Sequence, residues 1–159
     1  MSLESDIALL RGIALLADLP TEQLRLIAFG AVRLELTEGQ VLFREGNKAL
    51  SGYVVLSGKV QLTTGDTPRR RQIVATCESG SLIGEMALFV ETRRPATATA
   101  VAATQLLEIE RKVVLRLLNE HPEVALRLRA MLAERLSATV GELSRVRQTL
   151  TGPEARPGA

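Results

Sequence analysis

The chain has 159 residues, a length that suits one domain burying roughly two thirds of its unfolded surface without covalent staples. Its 46% hydrophobic and 24% charged residues are globular composition rather than disorder, and a net charge of +2 excludes a polycation. Aromatic residues are 3% with no Trp, so the core must be Leu, Val, Ile and Ala, and there is no aromatic platform for stacking single-stranded nucleic acid.

The N-terminal "MSLESDIALL" is acidic where a signal peptide is basic, and no apolar run reaches the ~18 residues of a membrane span. The single cysteine, Cys77, excludes an internal disulfide framework and a cysteine-rich zinc site. A cytoplasmic protein without a membrane partner is therefore expected. Residues 4–16 read as a helix, with Ile7, Leu10 and Ala14 at inward positions. "LPTEQLRLIAFG" reads as a second helix. Pro20 stands at its entry, Gly30 at its stop, and Leu24, Ile27 and Ala28 face inward.

The texture changes at Ala31. "AVRLELTEGQVLFREGN" alternates Val32, Leu34 and Leu36 with polar residues, then supplies Val41 and Phe43 before a Gly-Asn turn. "GYVVLSGKVQLTTGDTP" is two strands around Ser57-Gly58, "RQIVATCESGS" another, and "PATATAVAATQLLEIE" two more, at 96–102 and 104–110. Seven or eight short strands at this spacing predict a sandwich or barrel. Asp66 and Arg69–Arg71 fall at a hairpin tip, Tyr53 on a sheet face, and Cys77 on a strand as a small hydrophobe.

Helical pattern returns at "RKVVLRLLNEH", which Pro122 interrupts, leaving His121 at a boundary. Residues 122 to about 150 then predict one long helix of roughly 40 Å, ended by Gly152-Pro153 and followed by a disordered tail over 151–159. Leu132, Leu136, Thr139, Leu143, Val146 and Leu150 recur at 4-3-4-3-4 spacing, a narrow coiled-coil-like seam. The first half of the seam is expected to cover the barrel. The second half, with little chain left to cover it, is expected to form a homodimer. Thr139 is a polar intrusion that needs a partner.

One stretch looks built to hold an anion: "IGEMALFVETRRPATATA", residues 83–100. Gly84 permits close backbone approach. "EMALF" can form a short turn whose leading N–H groups lack partners within the helix. Arg94 can return a guanidinium to the same place. Glu85 cannot bind a phosphate directly, and its natural partners are sugar hydroxyls or an arginine. Phosphate plus sugar hydroxyl describes a nucleotide. The competing reading makes Gly84 a plain turn, Glu85 a helix-start carboxylate and Arg93-Arg94 a solvated pair.

"GEMAL" followed by "RPAT" resembles the phosphate-binding cassette of cyclic nucleotide-binding domains, the family of the catabolite activator protein and the protein kinase A regulatory subunit. "LPTEQLRLIA", "LTEGQVLFREGN", "GYVVLSGKVQL" and "HPEVALRLRAMLAERL" resemble that family's entry helix, first strands, Ser-Gly strand pair and approach to the C-terminal helix, in order. The resemblance implies an α+β fold. It would be an antiparallel β-roll or jelly-roll barrel over about 31–110, with N-terminal helices, a short cassette helix and C-terminal helices over 111–150, one domain spanning 1–150. It implies that Glu85 accepts from the ribose 2′-hydroxyl and Arg94 pairs with the cyclic phosphate, while Gly84 and the N–H groups of Met86 and Ala87 line the pocket. Thr139 falls at the position of a threonine that contacts the adenine amino group in the catabolite-activator branch, and Arg135 at that of a pocket-side arginine.

Pro95 departs from the family's Ser, Ala or Thr and cannot donate an N–H. The loss is worth roughly 1.5–3 kcal/mol, unless the flanking Ala96 and Thr97 segment compensates, through Thr97 in particular. The lack of a Ser or Thr there leans the expectation towards cAMP, with cGMP as the alternative. No cofactor beyond that ligand is expected. No acid–base constellation appears, so a sensor acting on a dimer or a protein effector is favoured over an enzyme. A DNA-binding regulator would need a further motif after the long helix, so no nucleic-acid partner is expected for this chain alone. A degenerate fold kept only for interaction is the remaining alternative.

Overall fold

The computed structural model describes residues 2–17, 19–131 and 133–134. Backbone contacts group the chain into two compact units, residues 1–120 and residues 121–159. In the first unit, α1 (Leu3–Arg11) is closed by a capping box between Ser2 and Ser5. It stops at Gly12, short of the expected residue 16. The next residues form successive turns, in which the N–H groups of Ile13, Leu16 and Leu19 each donate three residues back. These turns bury Ile13, Leu15, Leu16 and Leu19 and leave Ala14 exposed, so Ala14 is not an inward helical position. The second helix, α2 (Thr21–Gly30), buries Leu24, Ile27 and Ala28 as its spacing required.

Ten strands follow: β1 (Val32–Leu36), β2 (Val41–Phe43), β3 (Lys48–Ala49), β4 (Ser51–Ser57), β5 (Lys59–Thr64), β6 (Gln72–Glu78), β7 (Leu82–Ile83), β8 (Thr92–Arg93), β9 (Thr97–Ala100) and β10 (Thr104–Glu110). They pair antiparallel as β1-β10-β4-β7, β2-β9-β5-β6 and the ribbon β3-β8. The sequence pattern missed β3, β7 and β8, because a two-residue strand has no period to read. The two larger sheets share one core: Leu36, Tyr53, Val55, Ile83 and Leu106 from the first meet Val60, Ala98 and Ala100 from the second. In "TATA", the alanines face that core while Thr97 and Thr99 stay on the outer face. Cys77 is half-buried and packs against the cluster. Asp66 and Arg69–Arg71 do lie between β5 and β6, beyond the left-handed Gly65.

A bidentate contact ties α1 to β1. Arg33 Nη2 donates to both Asp6 carboxylate oxygens, at 2.7 and 2.8 Å. The unit ends with α3 (Arg111–Glu120). In the second unit, residues 122–131 are helical, and the N–H groups of Val124 and Ala125 donate to the His121 carbonyl at 3.0 and 3.3 Å. The described part of this helix stops at residue 134, so Leu132, Arg135, Leu136, Thr139, Leu143, Val146 and Leu150 lie outside the described residues. No helix among the described residues is long and apolar enough to cross a membrane.

Candidate functional site

The "GEMAL" segment forms a 3-10 turn, Glu85–Leu88, entered through Gly84 in a left-handed conformation (φ +75°, ψ +40°). Such backbone favours glycine because a Cβ would crowd the following carbonyl. Leu88 anchors the turn: it is buried against β4 at Gly52, where an added Cβ would lie 3.2 Å from the leucine. Ala87 is buried beside it, while Met86 is exposed and Glu85 is half-buried. The Ala87 N–H donates to the Gly84 carbonyl at 3.2 Å. It is therefore spent inside the turn, and is not the open ligand donor the family resemblance implied.

The second half of the site arrives through the β3-β8 ribbon, where Lys48 pairs with Arg93 and Ala49 with Thr92. Beyond the ribbon the Arg94 backbone is held at both ends. Its N–H donates to the Asn47 carbonyl and its carbonyl accepts from the Gly46 N–H, each at 2.8 Å. This registers two consecutive arginines on opposite sides. Arg93 is exposed and donates through Nη1 to the Gly46 carbonyl at 2.9 Å. Arg94 turns inward and is only 4% exposed.

The Arg94 guanidinium is clasped by aromatic faces. Its Cζ lies 4.2 Å from the Phe43 ring centroid and 5.3 Å from that of Tyr53, within range of cation–π attraction. The two rings are themselves 5.8 Å apart. Nη2 donates to the Ser51 carbonyl at 2.8 Å, and the Ser51 hydroxyl donates to Glu108 Oε2 at 2.8 Å. Nη1 lies over Gly84, 2.5 Å from where a Cβ would stand. Glycine is thus required twice at position 84, for its backbone and for its missing side chain.

Two guanidinium nitrogens, Nε and Nη1, are buried with no hydrogen-bond partner among the described residues. Burial pushes the Arg94 pKa below its ordinary value, and the neighbouring Tyr53 and Glu108 act against that shift. Burial likewise raises the Tyr53 phenol, with Glu108 adding to the shift and Ser51 and Arg94 opposing it. A buried cation with two unsatisfied donors, beside a backbone that has no Cβ, is arranged to receive a small anion.

Of the sequence-predicted residues, the structure brings Gly84 and Arg94 together, with Glu85 and Ala87 in the same turn. Ala96 is buried and Pro95 exposed. Thr97 does not join them. It lies on the outer face, where its hydroxyl oxygen accepts from the Glu45 N–H at 2.9 Å, so its side chain does not compensate for Pro95. Arg135 and Thr139 are among the undescribed residues. Sequence reasoning missed Phe43, Ser51 and Glu108, and it read Tyr53 as packing alone. The scarcity of aromatics was an available signal, since two of only four in the chain sit on this one guanidinium. No group of three or more His, Cys, Asp or Glu among the described residues could hold a metal ion.

Comparison with known proteins gives a consistent result. Residues 33–121, more than half of the chain, match the family described as the cyclic nucleotide-binding domain. The cyclic AMP receptor protein of Thermus thermophilus is 35% identical over 127 residues, 80% of this chain and 59% of that protein. Lysophospholipase nte1 of Neurospora crassa is 30% identical over 120 residues, 76% of this chain but only 8% of the relative. The chain thus spans a small fraction of the lysophospholipase and less than two thirds of the receptor protein. Among solved structures, the N-terminal domain of a transcriptional regulator from Streptomyces coelicolor A3(2) superposes with a TM-score of 0.77 at 34% identity. That match covers 85% of this chain and 94% of the other.

Proposed function

Because the chain belongs to the cyclic nucleotide-binding domain family, we propose that it is a cyclic nucleotide sensor that leans towards cAMP and transmits occupancy through its C-terminal helix. The observation that carries the reading is Arg94, buried beside Gly84 with Nε and Nη1 unsatisfied. The cyclic phosphate occupies that gap and accepts from both nitrogens. Gly84 allows its approach, Met86 and Ala87 form the wall of the turn, and Glu85 accepts from the ribose 2′-hydroxyl. Pro95 contributes no N–H, so affinity rests more heavily on Arg94 than where that position can donate. Arg135 and Thr139 on the C-terminal helix reach the base. Ligand binding then biases that helix and the homodimer formed through Leu132, Leu136, Leu143, Val146 and Leu150.

The sensor requires no bond making or breaking, and no reaction is assigned to it. The similarity to the lysophospholipase concerns 8% of that protein and carries no activity across. A second reading is favoured by the likeness to a regulator's N-terminal domain: this chain is the sensing part of a transcription regulator whose DNA-binding part lies elsewhere. Calorimetric titration with cAMP and cGMP in parallel, with gel filtration of each mixture, tests the proposal. Saturable binding with cAMP preferred, and a ligand-dependent change in assembly, is expected. Absence of binding to both nucleotides up to millimolar concentration overturns it and leaves the fold as an interaction module.

A further inference from the structure

Outside the Arg94 site, a recess of about 250 Å³ opens on the other side of the same ribbon, lined by Lys48, Glu91, Thr92, Arg93 and Arg111 among others. Three cations and one carboxylate face this space. Neither Lys48 nor Glu91 forms an ion pair among the described residues, and Arg93 is held only to the Gly46 carbonyl. Arg111 begins α3, and its Nη1 is buried without a hydrogen-bond partner among the described residues. Gathering three like charges in one recess is unfavourable, and an unsatisfied buried donor adds to the cost. Both terms are relieved by an anion that accepts from guanidinium forks.

We infer that this recess is a second anion site, and that it takes a phosphate or phosphomonoester dianion. Arg93, Arg111 and Lys48 supply the positive charge. Thr92 lines the floor, and Glu91 receives a donor such as a hydroxyl next to the phosphate. The site shares no residue with the Gly84–Arg94 pocket and is separated from it by the alternation of Arg93 and Arg94. The two are nonetheless joined through the backbone. Arg111 N–H donates to the Leu50 carbonyl at 3.0 Å, and the next carbonyl along, that of Ser51, holds Arg94 Nη2.

The test uses the full chain, free of nucleotide, titrated with inorganic phosphate and with glycerol phosphate at constant ionic strength, and read by amide chemical shifts. Saturable shifts are expected at residues 48–50, 91–93 and 111, with a dissociation constant of ~1–10 mM, the range of a few charged hydrogen bonds on an open surface. Lys48→Ala and Arg111→Gln should each weaken phosphate binding at these residues about ten-fold, while in Arg94→Met the saturable shifts at residues 48–50, 91–93 and 111 persist. Lys48 is exposed at a ribbon edge, so its variant retains the test if Arg111→Gln fails to fold. Shifts centred on Gly84 and abolished by Arg94→Met would overturn the inference, placing the phosphate in the first pocket. Non-saturating shifts equal to those caused by chloride would overturn it as well. Nucleotide titration of Lys48→Ala separates the two sites: unchanged cAMP affinity leaves the proposed function standing whether or not phosphate binds.

Discussion

Arg94→Met removes the guanidinium while roughly keeping the volume of the side chain. Among the described residues Nε and Nη1 have no hydrogen-bond partner, whereas Nη2 is committed to the Ser51 carbonyl. A cyclic phosphate gains two charge-assisted hydrogen bonds that replace nothing, each worth about 1.5–3 kcal/mol. Their joint loss is about 3–6 kcal/mol, or roughly a hundred- to ten-thousand-fold in affinity. Titration calorimetry of wild type and variant measures that ratio, and thermal unfolding without ligand provides the control for folding. The methionine has no donors to leave unsatisfied and packs against Phe43 and Tyr53, so the ligand-free variant should unfold cooperatively. An Arg94→Met protein that folds and binds cAMP within three-fold of wild type would refute the reasoning, because the buried donors would then not be the ligand's contacts.

Gly84→Ala should cost about 1–2 kcal/mol for the left-handed backbone and push Nη1 aside. Denaturant titration should show the lost stability, and calorimetry a weaker ligand. Asp6→Asn breaks the bidentate contact from Arg33, whose own side chain is partly solvated, so the expected loss is about 1–2 kcal/mol, below that of a fully buried pair, read as a lower urea midpoint. The pH dependence follows from Cys77 and Tyr53, whose ordinary values are 9.0 and 10.0 and which burial raises in the folded state. Raised folded values contribute stability that is complete below the unfolded pKa and is lost as pH rises through the folded one. Urea midpoints should therefore hold to about pH 8.5 and fall above pH 9, and Cys77→Ala should flatten the first part of that fall.

The sequence made the helix α2 and the cassette legible for different reasons. Pro20, Gly30 and the 3.6-residue spacing of Leu24, Ile27 and Ala28 are local signals, and α2 follows them within a residue or two. The local chemistry of "GEMAL" and "RPAT" left an anion site and a plain turn with a solvated arginine pair both open, and the resemblance to cyclic nucleotide-binding domains joined the two motifs. What surrounds Arg94 was not local. Phe43, Ser51 and Tyr53 lie more than forty residues before it in the chain, and the Ser51–Glu108 hydrogen bond spans 57 residues. The overrun of α1 has a nearer cause. The apolar run Ile13–Leu16 continues the hydrophobic pattern, but after Gly12 it folds as successive turns that bury three of its four side chains. The outward side of Thr97 follows from strand alternation, which sets the odd-numbered residues of β9 on the outer face.

That alternation makes length, rather than composition, the quantity most tightly constrained in this stretch. Only Phe89, Val90 and Glu91 separate the Gly84 turn from β8, and the ribbon is a single pair of two-residue strands. Val90 is exposed and can change identity freely. Inserting one residue beside it would leave every functional side chain in place on paper, yet a one-residue slip of the strand would present Arg93 to the Phe43–Tyr53 clasp and send Arg94 outside. A relative with one extra residue here should then use the other arginine. Aligning the two proteins by matching arginine to arginine would pair residues that do opposite jobs.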